Sequence, residues 1–129
     1  EAAWAAFRNA PPGPLTSYGL AVALYYLHHL DEAEQPVREA LEGVREPFWS
    51  DALSILGKVD LERGSTAAAI LCLRRAIAAG AATPENYYAL GVGLLRQGAP
   101  LVAVRAFQRC VTAEFVCQRF GDLSAIMDM

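Results

Sequence analysis

Apolar residues recur along this chain at steps of three and four, which is the spacing of one face of an α-helix. The spacing is clear at Leu53, Leu56 and Val59, and again at Leu90 and Leu94. No segment has the alternating pattern of a strand. The pattern therefore predicts an all-α fold.

Glycines and prolines interrupt the helical pattern and divide it into separate helices. The connections between these helices are short, so neighbouring helices should be antiparallel. We predict helices over residues 1–10, 15–29, 31–44, 47–63, 66–79, 84–98, 100–112 and 115–127.

Three of the predicted helix starts carry capping signals. Asp31, with Glu34 three residues later, resembles a capping box. Ser65 follows a glycine and is a predicted N-cap. Thr83 is the predicted N-cap of the helix after it, because Pro84 suits the first helical position.

The helices repeat in pairs with a period of ~34 residues. Leu56-Gly57 recurs as Leu90-Gly91, and Gly64 recurs as Gly98. The same offset relates Ala69 to Ala103, Leu73 to Phe107 and Ala76 to Cys110. This period is typical of a helix–turn–helix unit that stacks on its neighbours. The chain should therefore be a row of helical hairpins.

The repeated residues resemble the tetratricopeptide repeat (TPR) family, whose units are pairs of helices. The third unit has Tyr87, Leu90, Gly91, Leu94, Ala103, Phe107 and Cys110. The second has Leu53, Leu56, Gly57, Asp60, Ala69, Leu73 and Ala76. An earlier unit, displaced by 36 residues, has Ser17, Leu20, Ala21, Leu24, Ala33, Val37 and Ala40. Ser17 and Asp60 depart from the family pattern, which has aromatic residues at these positions.

The resemblance implies one domain over residues 1–129, with repeats at about 14–47, 50–83 and 84–117 and flanking helices at 1–10 and 115–127. It implies a right-handed superhelix with a concave groove. The small residues should let the two helices of each hairpin touch, while larger ones fill the core. We expect these residues to be buried: Leu56, Gly57, Ala69, Leu73, Leu90, Gly91, Ala103 and Phe107.

The resemblance also places residues of the first helix of each unit along the groove. This candidate partner-binding set is Tyr18, Val22, Tyr25, Ser54, Lys58, Glu62, Tyr88, Val92 and Arg96, with Tyr26, Asp51 and Glu85 beside it. Tyr26 and Tyr87 are expected to be core or hairpin-contact residues. Tyr18 and Tyr88 are the aromatic candidates for binding, because tyrosine offers large contact area together with a hydroxyl group.

One TPR subgroup grips the acidic tail of cytosolic heat-shock chaperones with lysine and asparagine side chains. The matching positions here are Tyr18, Val22, Ile55, Glu85 and Ala89, and none suits a carboxylate. The expected partner is instead an amphipathic helix or an extended apolar peptide.

Composition narrows the function classes further. The formal net charge is −3 without a long run of either sign, which argues against a nucleic-acid partner. No apolar stretch approaches the ~18 residues of a membrane span. The three cysteines fit no metal-ligand spacing; we expect free, buried thiols, which favour a reducing, cytoplasmic location. The chain begins at Glu1, as expected of a piece of a longer protein.

No motif supports catalysis. His28 and His29 point about 100° apart on a helix and cannot both face one metal ion. There is no Gly-x-Ser-x-Gly elbow and no phosphate-binding loop. We therefore expect neither an enzyme nor a cofactor.

The sequence thus favours a non-catalytic interaction module that acts as an adaptor or assembly scaffold. The alternatives are a chaperone-like carrier for a secreted or assembling protein, and a regulatory module of a larger protein. Apolar residues near both ends also raise an expectation of self-association through the terminal helices, or of flanking helices that cover the end hairpins. These residues are Trp4, Phe7, Phe115, Phe120, Ile126 and Met127.

Overall fold

The computed structural model describes residues 13–127, with side chains described for residues 13–113. This part of the chain contains helices and turns but no strand, which confirms the all-α prediction. The helices are α1 (Pro14–Tyr26), α2 (Leu30–Leu41), α3 (Phe48–Glu62), α4 (Thr66–Ala78), α5 (Pro84–Arg96) and α6 (Pro100–Met127).

The helices pair into three hairpins that stack in chain order. Within each hairpin, α1 packs on α2, α3 on α4, and α5 on α6. Between hairpins, α2 packs on α3 and α4 packs on α5. The first helices of successive hairpins also touch, since α1 contacts α3 and α3 contacts α5. The first helices therefore lie side by side, and the second helices lie behind them.

Small residues allow the helices of each hairpin to approach closely. A Cβ atom on Gly57 would lie 2.9 Å from Leu73 Cγ, and one on Gly91 would lie 2.6 Å from Phe107 Cε1. Both distances are shorter than van der Waals contact, so the repeated glycines are spacers between the paired helices. Seven of the eight residues predicted to be buried are buried; the eighth, Phe107, is half-buried.

The hairpin turns show the repeat in the backbone. Gly64 and Gly98 both adopt the left-handed conformation, with φ of 90° and 79°. His28 takes the same position in the first hairpin with φ of 61°. After each of these residues the next N–H donates to a carbonyl five residues back: His29 to Leu24, Ser65 to Asp60, and Ala99 to Leu94. This shared closure is a Schellman-type helix ending, and it shows that the first unit follows the repeat.

Asp60, which departs from the family pattern, is buried in α3. Burial raises the pKa of its carboxyl group, while the positive charge of Arg38 acts in the opposite direction. Beside it, Arg63 Nη1 donates to Glu34 Oε2 at 2.6 Å, and this bond helps to lower the pKa of Glu34. This position thus holds a carboxyl group among charged neighbours, where the TPR pattern has an aromatic ring.

One of the three predicted caps differs from the structure. Thr83 caps α5 as predicted, because its Oγ1 accepts from the Asn86 N–H at 3.2 Å. Ser65 occupies the N-cap of α4 but makes no side-chain capping bond. The predicted capping box at Asp31 is wrong, since α2 begins at Leu30 with His29 at its N-cap.

Helix lengths also differ from prediction. Helix α1 ends at Tyr26 rather than near residue 29, because the left-handed His28 belongs to the turn. The predicted helices over 100–112 and 115–127 form one continuous helix, α6. Neither glycine nor proline separates them, and Gly121 inside the helix costs only about 1 kcal/mol. The helix predicted over residues 1–10 lies outside the described residues.

Candidate binding groove

The first helices α1, α3 and α5 form a surface with two adjoining cavities. The larger has a volume of about 790 Å³ and is lined by Tyr25, Tyr26, Lys58, Leu61, Glu62, Pro84, Glu85, Tyr88, Ala89, Val92, Arg96 and Cys110. The smaller has a volume of about 160 Å³ and is lined by Tyr18, Val22, Tyr26, Asp51, Ser54, Ile55, Lys58, Thr83, Glu85 and Asn86. Tyr26, Lys58 and Glu85 border both cavities. We call this continuous surface the groove.

Helical spacing explains how the sequence builds the groove. On α3, Ser54, Lys58 and Glu62 follow one another at steps of four residues, and α5 repeats these steps from Tyr88 to Arg96. Residues four apart lie on one face of a helix, so each first helix presents a single stripe. The stacking of hairpins then brings the three stripes together.

The structure places all nine predicted groove residues on this surface. Six line the larger cavity: Tyr25, Lys58, Glu62, Tyr88, Val92 and Arg96. The other three, Tyr18, Val22 and Ser54, line the smaller cavity. Their assignment to partner binding remains a prediction, but their common location is observed.

The tyrosines divide into anchored and exposed residues. Tyr26 is 68% exposed and Tyr88 is 58% exposed. Of the core or hairpin-contact role that the sequence suggested for Tyr26, the core part is therefore wrong. The ring of Tyr26 meets the half-buried ring of Tyr25 edge-on at 5.3 Å between centroids. Tyr18 is half-buried against Phe48, with 5.5 Å between ring centroids. Tyr26 and Tyr88 therefore offer the accessible aromatic area of the groove.

Ser54 has a structural role within the groove wall. It is buried; its hydroxyl donates to the Ser50 carbonyl at 3.0 Å and accepts from Asn86 Nδ2 at 2.9 Å. Asn86 Nδ2 also donates to the Ala81 carbonyl at 2.8 Å. Ser54 therefore ties α3 to α5, and the prediction that it faces a partner needs this correction. Sequence analysis missed Asn86, whose pairing depends on a contact between residues 32 positions apart.

The two basic groups of the groove already have partners. Arg96 Nη1 donates to the Leu61 carbonyl at 2.9 Å, which links the end of α5 to α3. Lys58 Nζ lies 3.9 Å from Glu85 Oε2. By contrast, Asp51 and Glu62 form no ion pair with any residue in the described part of the chain.

The carboxylates make the potential around the tyrosines negative. Burial raises the pKa of the Tyr25 hydroxyl, and the carboxylates of Glu62 and Glu85 raise it further. Burial and then the Asp51 carboxylate raise the pKa of Tyr18 in the same way. Both half-buried tyrosines therefore stay protonated and can donate or accept hydrogen bonds.

Other chemistry is sparse on this surface. Across the described residues, no three His, Cys, Asp or Glu side chains are grouped to hold a metal ion. Cys110 borders the larger cavity as a free, half-buried thiol, and Cys72 is also free. Burial raises the pKa of the Cys72 thiol, which disfavours the reactive thiolate. No helix within the described range is long and apolar enough to cross a bilayer.

Comparison with known proteins supports the fold. No family model matches the sequence, and no curated protein is significantly similar to it. Among solved structures, the crystal structure of MamA matches with a TM-score of 0.71 and 20% sequence identity over 83% of this chain. The match spans only 61% of the MamA chain. The chain thus has a TPR-like helical repeat fold, and at this identity the likeness carries the fold alone.

Proposed function

We propose that this chain is a non-catalytic interaction module that binds a peptide or helix of another protein in the groove. The observation that carries the proposal is the exposure of Tyr26 and Tyr88 on a continuous surface built by three stacked hairpins. Aromatic residues often supply most of the energy of a protein interface. A module that binds a partner without catalysing a reaction would act as an adaptor or assembly scaffold.

The architecture favours binding because the groove is formed before a partner arrives. Hydrogen bonds from Asn86 and Arg96 fix α5 against α3, and the second helices support the first helices from behind. A rigid groove loses little conformational entropy on association. The two cavities share a border and span three helices, so the site suits an extended segment or a helix.

The test is the pair Tyr26→Ala with Tyr88→Ala. The sequence favours Tyr18 with Tyr88, but Tyr18 is half-buried, whereas Tyr26 and Tyr88 are mostly exposed. Tyr88 also contacts the ring of Phe107, with 5.7 Å between centroids, so the fold of the variant must be checked. Partners are first captured from a lysate and identified by mass spectrometry, and calorimetric titration then measures their affinity. Each lost anchor should cost about 2 kcal/mol, so a micromolar contact should become undetectable.

The control is the pair Leu71→Ala with Leu101→Ala. These side chains are 60% and 82% exposed and do not line the groove, so they match the tyrosines in exposure. Circular dichroism checks that both variants fold. Loss of binding in the leucine variant, with retention in the tyrosine variant, would place the interface elsewhere and contradict the proposal.

A further inference from the structure

The ionisable groups of the groove carry an excess of negative charge. Three carboxylates border it, from Asp51, Glu62 and Glu85, against the two cations Lys58 and Arg96. The difference, three minus two, leaves one negative charge uncompensated. A partner that neutralises this charge is favoured over one that adds to it.

Two carboxylates of the groove have no counterion in the described part of the chain. Asp51 and Glu62 are exposed and have no ion-pair partner among the described residues. The Glu85 side chain is 79% exposed and pairs with Lys58, whose side chain is only 16% exposed. One N–H of the Arg96 guanidinium donates to the Leu61 carbonyl, a bond that leaves its charge unneutralised. Within the described range, the two unpaired carboxylates therefore outnumber the one unpaired cation of the groove.

A buried hydrogen-bond acceptor in the wall of the smaller cavity, on Asn86, also favours a partner that donates hydrogen bonds. Asn86 is 2% exposed, and both of its described side-chain bonds use the Nδ2 donor. Its Oδ1 atom has no hydrogen-bond partner within the described residues. A buried acceptor without a donor is unfavourable, and a donor that reached it, directly or through a water molecule, would remove this cost.

The tyrosine rings complete a site that can bind a cation. Rings of Tyr25 and Tyr26 meet edge-on, and Tyr26 leaves most of its surface open. The face of an aromatic ring attracts positive charge. Both Glu62 and Glu85 border the same cavity as these rings, and both act electrostatically on Tyr25. Aromatic faces near the unpaired carboxylate of Glu62 and the exposed side chain of Glu85 suit a guanidinium or ammonium group.

We infer, on the basis of the proposed function, that the segment bound in the groove presents a lysine or arginine side chain to Tyr25 and Tyr26 between Glu62 and Glu85. Apolar side chains on either side of this cation contact Val92 and Tyr88. The partner is thus a basic, apolar segment of another protein.

Three pools of short synthetic peptides test the inference. All share the same apolar residues, and their variable polar positions carry lysine and arginine in one pool, glutamine in the second and glutamate in the third. Fluorescence anisotropy measures their binding to the full chain. The basic pool should bind most tightly, and the combined change Glu62→Gln with Glu85→Gln should weaken it about ten-fold. Added salt should likewise weaken the binding of the basic pool.

Glu32→Gln with Glu42→Gln is the matched control. It removes the same charge from exposed positions outside the groove and should leave the affinity for the basic pool unchanged. The inference is wrong if the basic pool does not bind, if a neutral or acidic pool binds as tightly, or if the groove glutamate variant keeps full affinity. If binding survives the Glu62→Gln and Glu85→Gln changes but is lost in the Tyr26 and Tyr88 variant, the basic-partner inference is refuted while the proposed function stands. Binding of every pool that survives the tyrosine changes refutes the proposed function.

Discussion

Replacing Gly57 by alanine should destabilise the protein, although the same change in an ordinary helix interior stabilises it by about 1 kcal/mol. The added Cβ would lie 2.9 Å from Leu73 Cγ, 3.2 Å from Leu73 Cδ2 and 3.3 Å from Cys72 Cβ. Leu73 is 0% exposed, so it cannot move aside into solvent. Overpacking of this kind costs about 1–3 kcal/mol.

The propensity gain and the packing cost together leave a net loss of about 1 kcal/mol for Gly57→Ala, or roughly 4 °C in Tm. Urea denaturation followed by circular dichroism measures it. Gly93→Ala is the comparison, because its nearest contact, Ile70 Cγ1, lies at 3.1 Å and its next, Leu61 Cδ1, at 3.5 Å. Ile70 must still give by a few tenths of an ångström, so part of the propensity gain is lost at this site as well. Gly93→Ala should nevertheless be the more stable of the two variants.

A coupling measurement separates the packing cost from other effects of the change. Leu73→Ala should cost less in the Gly57→Ala background than in the parent, because it removes the atoms that collide with the new Cβ. Additive effects of the two substitutions, or a Gly57→Ala variant at least as stable as the Gly93→Ala variant, would refute the close approach of α3 and α4.

Three other changes test the fold. Gly91→Leu should cost about 1–3 kcal/mol or more in the same denaturation assay, because even a Cβ collides with the Phe107 ring; unchanged melting would contradict the hairpin register. Since burial raises the folded-state pKa of Asp60, parent stability should fall as the pH rises through that pKa. Asp60→Asn should therefore be more stable than the parent at neutral pH and lose this advantage below the ordinary aspartate pKa. Removal of residues 1–12 should change stability or association in light scattering; an unchanged monomer would exclude a role for this segment in capping or self-association.

The repeat made the fold predictable because it fixes contacts as well as helices. Gly57 and Gly91 occupy equivalent positions, and each meets the partner helix of its own hairpin. The left-handed turn residues Gly64 and Gly98 share the same offset. A period of ~34 residues thus specified which helix faces which, and the resemblance to the TPR family placed the predicted groove residues on the first helices.

Features that depend on single contacts were not predictable in this way. His28 adopts the left-handed conformation without being glycine, so the helix before it was predicted to run to about residue 29. Ser54 lies on the predicted stripe, but its hydroxyl bonds to Asn86, and residue spacing alone does not predict this bond. Tyr26 differs from Tyr25 only by one helical step, yet that step of about 100° moves it from partial burial to 68% exposure.

The two sides of the groove are held by different forces, and this decides where it can adjust. Between α3 and α5, Asn86 bonds to Ser54 and Arg96 bonds to the Leu61 carbonyl, so directional bonds link these helices at two points along their length. Between α1 and α3, Tyr18 contacts Phe48, and apolar side chains of both helices share one buried cluster. Hydrogen bonds weaken steeply with angle and distance, whereas apolar contacts are not directional. A partner should therefore find the groove largely preformed, with the α3–α5 wall held most strictly, and small adjustments should occur mainly on α1, which carries three of the four groove tyrosines.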